Sequence, residues 1–538
     1  MHHAQTGPRL RGPINLLKIR WPLLFLWTAS ILVMGAVLLP ITYLVIRAIG
    51  SGATAWQALF EWSLLATIVR TGWLALAVTA VSILIAVPLA WFTVRTDVPL
   101  RRLWAILTPL PLVIPSYVGA YLMASALGPR GLVQNWLEGP LGITRLPSLY
   151  GFPGAVLTLA LLSYPYLLLS VRASLLRMDP ALEEASRSLG HNTWQTFWRV
   201  TLPYLRTALG VGGLLVALYT LRDFGAVAIM RYDTFTNIIY QHYRTFDRSQ
   251  AALISLVLVA LTLFMVALEI QTRAHHQQGG MGALRPPTQI ALGLWRWPAF
   301  FFCAGVVFLG LVLPAGVLLY WLIRGLNAGE VLSALGLATW NSILASTLAA
   351  AATLLAALPV AVLVVRRPGP LTRILERLTY SAFALPGIVV ALALVFFGAN
   401  YALPLYQTLP MLILAYGILF LPQAVGAIRT ALALVHPSLE ETARSLGRAP
   451  WQVFLTVTLP IVQPGVTAGA ALVFLTTMKE LPATLILAPL GFKTLATSVW
   501  AAVSEAFFAQ AAAPALLIIL LSSLPMTFLI FHEQSTHP

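Results

Sequence analysis

Charged side chains make up only 9% of the 538 residues, against 59% hydrophobic ones. A soluble domain carries roughly 25% charge, so a water-soluble fold is excluded. Cysteine is nearly missing: Cys303 stands alone in an apolar run, which rules out an internal disulfide and a multi-cysteine metal site and reads as a small core residue. Lysine is almost as rare, with only Lys18, Lys479 and Lys493. No GxxxxGK[ST] phosphate loop occurs, nor a His-Glu-x-x-His or Gly-x-Ser-x-Gly pattern, so neither a nucleotide-hydrolysing loop nor an intramembrane hydrolase is indicated.

What the chain does have is long uncharged runs, at 21–46, 71–94, 103–129, 146–171, 249–268, 297–323, 331–365, 378–428 and 506–531. Each reaches the roughly 20 apolar residues that a membrane-spanning helix needs. Dividing 378–428 at Gly398-Ala399-Asn400-Tyr401, and adding less clean spans at 205–230 and 461–488, gives twelve helices. The first run is too long for a signal-peptide core and lacks a small-residue cleavage site, so it is expected to remain as an anchor. With both termini in the cytoplasm, Lys and Arg sort 22 inside to 11 outside. That bias obeys the positive-inside rule. Membrane topology thus accounts for the net charge of +16, and nucleic acid is not expected as a partner.

The chain repeats itself. Ile114-Pro115 aligns with Leu385-Pro386, and Pro88 with Pro359, at an offset of 271; "LEEASRSLG" at 182–190 aligns with "LEETARSLG" at 439–447, and Leu202-Pro203 with Leu459-Pro460, at an offset of 257. The difference of fourteen residues places one insertion in the first half, in the Gly/Pro-rich outer loop near 128–151, where added length costs little. Two repeats, 1–270 and 297–538, are joined by a cytoplasmic linker, 271–296, whose His275-His276 pair reads as solvated rather than metal-binding. Six spans per repeat is an even number, so the halves are parallel and related by an axis along the membrane normal, with a translocation path between them.

Two inner loops, 179–203 and 436–460, are long, amphipathic and nearly identical in spacing. In the first, Asp179-Pro180 predicts a capped start, Leu182, Ala185 and Leu189 a stripe, and Gly190 a stop. In the second, Ser438 and Glu441 predict a capping box, Leu439, Thr442 and Leu446 the stripe, and Gly447 the stop. A second short helix follows each glycine, opened by Thr193 or Pro450, with Trp194, Phe197 and Trp198, or Trp451, Phe454 and Leu455, on one face. Leu-Pro then leads into the next span. Such a helix, turn and helix has the dimensions to lie in a groove on another protein.

These residues resemble the EAA loop of binding-protein-dependent ABC transporter permeases, whose pattern is EAA, three residues, Gly, nine residues, Ile-x-Leu-Pro. Glu184-Ala185-Ser186, Gly190 and Val200-Thr201-Leu202-Pro203 fit at every spacing, as do Glu441-Thr442-Ala443, Gly447 and Val457-Thr458-Leu459-Pro460. The departures are one alanine in each triplet and Val for Ile. The resemblance implies an all-α integral membrane protein with the type I ABC importer (MetI-like) fold, in a bacterial inner membrane. It further implies coupling to ATPase subunits through Glu184, Ala185, Gly190, Leu202, Pro203, Glu441, Ala443, Gly447, Leu459 and Pro460. The implied partners are two ATP-binding cassette subunits, a periplasmic substrate-binding protein and membrane lipid. The chain itself binds no cofactor; ATP is used by the partner subunit.

Arg222-Asp223 and Lys479-Glu480 also align at 257, and each pair interrupts apolar sequence. An isolated charge at a span's centre costs roughly 2.5–3.5 kcal/mol, so such groups face a cavity or a partner. Residues i and i+1 do not face each other on a helix. The expectation is therefore that Arg222 bonds Glu480 and Lys479 bonds Asp223 across the pseudo-twofold axis, as an outer gate. The surrounding text, "RDFGAVAIMRYDTFTNIIY" and "KELPATLILAPLGFKTLATSVW", resembles the fused iron(III)-type permeases; thiamine permeases are similar fused proteins, so the cargo stays open between them. A proton-coupled secondary transporter is the rival class, but midplane stretches lack the Asp, Glu or His relay it needs.

Overall fold

The computed structural model describes residues 16–52, 56–57, 61–129, 131–142, 147–245, 247–276, 289–330 and 335–535. Arg9 and Arg11 of the basic N-terminal arm, and most of the linker, at 277–288, lie outside the described residues. Among the described residues, secondary structure is helical apart from one isolated bridge between Thr96 and Ile290. Bilayer hydrocarbon offers backbone groups no partners, so an apolar chain satisfies them within helices.

Ten helices are long and apolar enough to cross a membrane, and two sharply bent pairs bring the number to twelve. The unbent ones in the first half are Leu23–Ile49, Trp62–Arg95, Phe152–Arg177, Thr193–Arg222 and Arg248–Leu268. Those of the second are Gly293–Asn327, Leu335–Arg366, Leu409–Leu434, Pro450–Met478 and Phe508–Pro525. At 34 residues, the Trp62–Arg95 helix is roughly 50 Å long, more than the roughly 30 Å hydrocarbon core, so its end projects toward the loops.

The spans expected at 103–129 and at the start of 378–428, where Pro115 and Pro386 read as kinks in the sequence, are sharply bent. Arg101–Val113 meets Ser116–Glu138 at 101°, and Pro370–Ala384 meets Gly387–Tyr401 at 104°. Each bend falls on the repeated hydrophobic-proline step: Ile114 and Leu385 are extended, with ψ of 122° and 114°. The ring of a following proline disfavours the helical region for its predecessor. By contrast Pro88, Pro165, Pro359 and Pro422 are accommodated inside helices. The fourteen-residue insertion contains a short helix, Leu132–Leu141.

The first span of each half packs on the other half. Tyr43 packs on Phe396 in a tilted ring pair with centroids 4.6 Å apart, and Thr379 reaches the Met34 sulfur. Reciprocally, Phe300 and Phe302 meet Trp104 and Phe92. The Arg248–His276 helix continues into the start of the expected linker, and the linker's far end is fastened to the first half. There the Ile290 amide donates to the Arg95 carbonyl at 2.8 Å, and the Leu292 amide to the Asp97 carboxylate at 2.8 Å.

Candidate functional site

Two elbows and one cavity carry the repeated polar residues. In the first elbow, Pro180–Ser188 forms a helix whose Asp179 side chain accepts from the Ala181 amide at 2.9 Å. The second elbow's helix is Pro437–Ser445 and is capped by His436, not by the expected Ser438/Glu441 box. Pro437 sets the first turn there as Pro180 does in the first copy, so the cap falls one residue before it. Gly190 and Gly447 end these helices at φ of +86° and +85°, the left-handed region where a side chain is strained. Asn192, rather than Thr193, caps the next helix, Thr193–Thr196, through the Gln195 amide.

A π-helical turn follows, Phe197–Thr201 in one elbow and Phe454–Thr458 in the other. Each immediately precedes Leu-Pro, and the leucine amide bonds five residues back. The same happens at Phe308–Val312 before Leu313-Pro314. A proline supplies no amide to continue the ladder, and the chain accommodates it with one wide turn.

The stripes point outward. Leu182, Ala185, Leu189, Trp194 and Trp198 are exposed, as are Leu439, Thr442, Leu446, Trp451 and Leu455, with Leu189 and Leu446 both 79% exposed. Glu184, Pro203, Glu441 and Pro460 are exposed too, Leu202 and Leu459 are half-buried, and Ala443 is buried. Both elbows thus hold apolar side chains outward on a polar knob.

The acid that faces inward is the neighbour of the motif glutamate. Glu440 accepts from Arg366 at 2.9 Å and from the Thr458 hydroxyl at 2.9 Å. Glu183 accepts from the Thr201 hydroxyl at 2.8 Å, with Arg95 3.7 Å away. Sequence reading missed these six residues. Their signal was present, since Arg95 and Arg366 lie 271 apart while Glu183 and Glu440, like Thr201 and Thr458, lie 257 apart.

At the far end of the helices that leave the elbows, both expected charge pairs sit at a break. Leu202–Arg222 ends before Gly225–Ile229, and Leu459–Met478 before Pro482–Leu487. The order, basic then acidic, suits this: a cation lies at the C-terminal, negative end of one helix and an anion at the N-terminus of the next. Asp223 accepts from the Ala226 and Val227 amides at 2.9 and 3.3 Å, and Glu480 from Ala483 at 3.2 Å. All four charged residues line one cavity of about 200 Å³ between the halves, with Tyr166 and Tyr219 on one side and Gln423 and Thr476 opposite.

The expected direct ion pairs are not formed. The acids are occupied by helix capping, and Lys479 donates instead to the carbonyl of Leu112 at 3.0 Å. Leu112 lies in the tight turn before the Ile114-Pro115 bend, where carbonyls are released from the helical ladder. The matching bend is also held from the opposite half, by Thr262 donating to the Ala384 carbonyl at 2.6 Å.

The profile of the binding-protein-dependent transport system inner membrane component matches residues 82–328 and again 351–535. The chain belongs to that family. It is a fused two-half ABC permease, a multi-pass inner-membrane transport subunit whose family works with an ATPase and a substrate-binding protein. The permease is 36% identical over 517 residues, 94% of its own length and 98% of the relative's, to the Fe(3+)-transport system permease protein FbpB 2 of Haemophilus influenzae. It is 25% identical over 434 residues, 76% of its length and 68% of the relative's, to a putative ferric transport system permease protein, FbpB 1, of the same organism. The molybdenum transport system permease protein ModB of Escherichia coli is 31% identical over 211 residues, 37% of this permease and 89% of ModB.

Proposed function

We propose that this permease carries ferric iron inward through the seam between its halves, driven by two separate ATP-binding subunits seated on the two elbows. The observation that supports the cargo is similarity along almost the whole chain to a ferric permease, whereas the molybdenum permease matches little more than a third of it. The observation that supports the drive is a pair of elbows with the same glycine geometry and the same outward apolar stripe.

In this reading the elbows and both termini are cytoplasmic, and a ferric-loaded binding protein docks outside. Closure of the ATP-binding subunits turns the two elbows, the halves rock, and the cavity around Arg222, Asp223, Lys479 and Glu480 opens outward to receive the ion. Hydrolysis on the partner subunits resets the gate; this chain binds no nucleotide or other cofactor. The test is reconstitution of the permease with its ATP-binding subunits and binding protein in liposomes. Ferric uptake that needs ATP supports the reading; uptake of thiamine or another solute in its place overturns the cargo.

A further inference from the structure

Glu184 and Glu441 point away from the bundle, so the link between each elbow and the spans behind it has to be made by other residues. One carboxylate per half sits where four segments converge. Glu183, on the elbow helix, receives the Thr201 hydroxyl from the root of the Leu202–Arg222 helix. It also faces Arg95, the last residue of the Trp62–Arg95 helix, whose guanidinium donates to the Leu175 and Met178 carbonyls at the end of the Phe152–Arg177 helix, both at 3.2 Å. The second half repeats the node: Glu440 joins Thr458, at the root of Leu459–Met478, to Arg366, which donates to the Val435 carbonyl at 3.2 Å just beyond Leu409–Leu434.

We propose that Glu183 and Glu440 are positioning residues that weld each elbow to three spans, so that an elbow displaced by its ATP-binding subunit moves the helix bearing the gate charges. This rests on the function proposed above. Three features give the node that capacity. The Arg95 and Glu183 side chains are almost wholly buried, at 0% and 1% exposure, and attraction between charges is strong and strongly distance-dependent where water is absent. Thr201 and Thr458 end the π turns, so their hydroxyls tie the elbow to the residue just before a long α-helix. From there one continuous helix of 21 residues reaches Arg222, and a helix transmits displacement because packed elements shift as bodies rather than deform.

The experiment uses the full complex of permease, ATP-binding subunits and ferric-loaded binding protein in proteoliposomes, reading iron taken up per ATP hydrolysed. Two double variants are compared with wild type: Glu183→Gln with Glu440→Gln, and the milder Thr201→Val with Thr458→Val. Both are expected to retain wild-type amounts of ATP-binding subunit, since the outward faces are untouched, while iron moved per ATP falls about fivefold or more. An unchanged ratio in both double variants overturns the proposal, and so does loss of the ATP-binding subunits, which would make these residues part of the docking face. Should the glutamine permease itself fail to fold into the membrane, the valine variant decides alone by the same ratio. A wild-type complex that moves no iron would overturn the proposed function instead.

Discussion

The Lys479 ammonium donates to the Leu112 carbonyl at 3.0 Å, and the two residues belong to opposite halves of the chain. A hydrogen bond to a charged group contributes about 1.5–3 kcal/mol. Removing it with Lys479→Met should therefore loosen the resting seam. The expected outcome is faster ATP hydrolysis by the complex without binding protein, by roughly tenfold for each 1.4 kcal/mol released into opening. Basal hydrolysis equal to wild type would show that this bond does not hold the gate.

Gly190 and Gly447 have open space where a Cβ would stand, so substitution is opposed by backbone conformation alone. A β-branched residue in the left-handed region costs about 1–2 kcal/mol, whereas asparagine tolerates it. Gly190→Val with Gly447→Val should unwind both elbow turns and reduce the ATP-binding subunits that co-purify with the permease. The asparagine pair should retain most of them. Equal recovery with both pairs would remove the turn from the coupling account.

Gly387 opens the Gly387–Tyr401 helix, and a Cβ there would clash with the Glu480 carboxylate. The carboxylate is the far end of a flexible side chain that lines a cavity, so it gives way to the added methyl. Gly387→Ala should displace Glu480 from its cap and depress iron transport while leaving the elbows assembled with their partners. Wild-type uptake by this variant would argue that the carboxylate's position is immaterial to the path.

Orientation is directly measurable, because the single native Cys303 is buried and should react slowly with a membrane-impermeant maleimide. Ser188→Cys, on the first elbow, should label in inverted vesicles and not in spheroplasts. Ser504→Cys, at the exposed end of the Leu495–Ser504 helix before the last span, should do the reverse. The opposite pattern would place the elbows outside.

The twelve-span plan and the duplication were legible because both rest on long-range regularities: uncharged runs and two constant offsets. The elbows were legible because Gly190 and Gly447 each stop a helix that proline starts. At Pro115 and Pro386 a kink was legible but its sharpness was not, since composition cannot separate a mildly kinked span from one that turns back. The partner of Lys479 was also misjudged, and Arg222 is not bonded directly to Glu480. Their charges favoured a direct ion pair with Glu480 and Asp223, but the helix breaks created amides for the acids and a free carbonyl for the lysine. Glu183 and Glu440 went unnoticed because they sit beside the motif glutamates, and only burial tells the two apart.

The central claim is that two elbows convert work done by separate ATP-binding subunits into opening of the seam between the halves. It is tested most directly by loading liposomes that hold the purified permease with and without those subunits, supplying ferric-loaded binding protein, and following iron uptake. The account predicts uptake only when the subunits and ATP are both present. Accumulation from an ion gradient by the permease alone would contradict it.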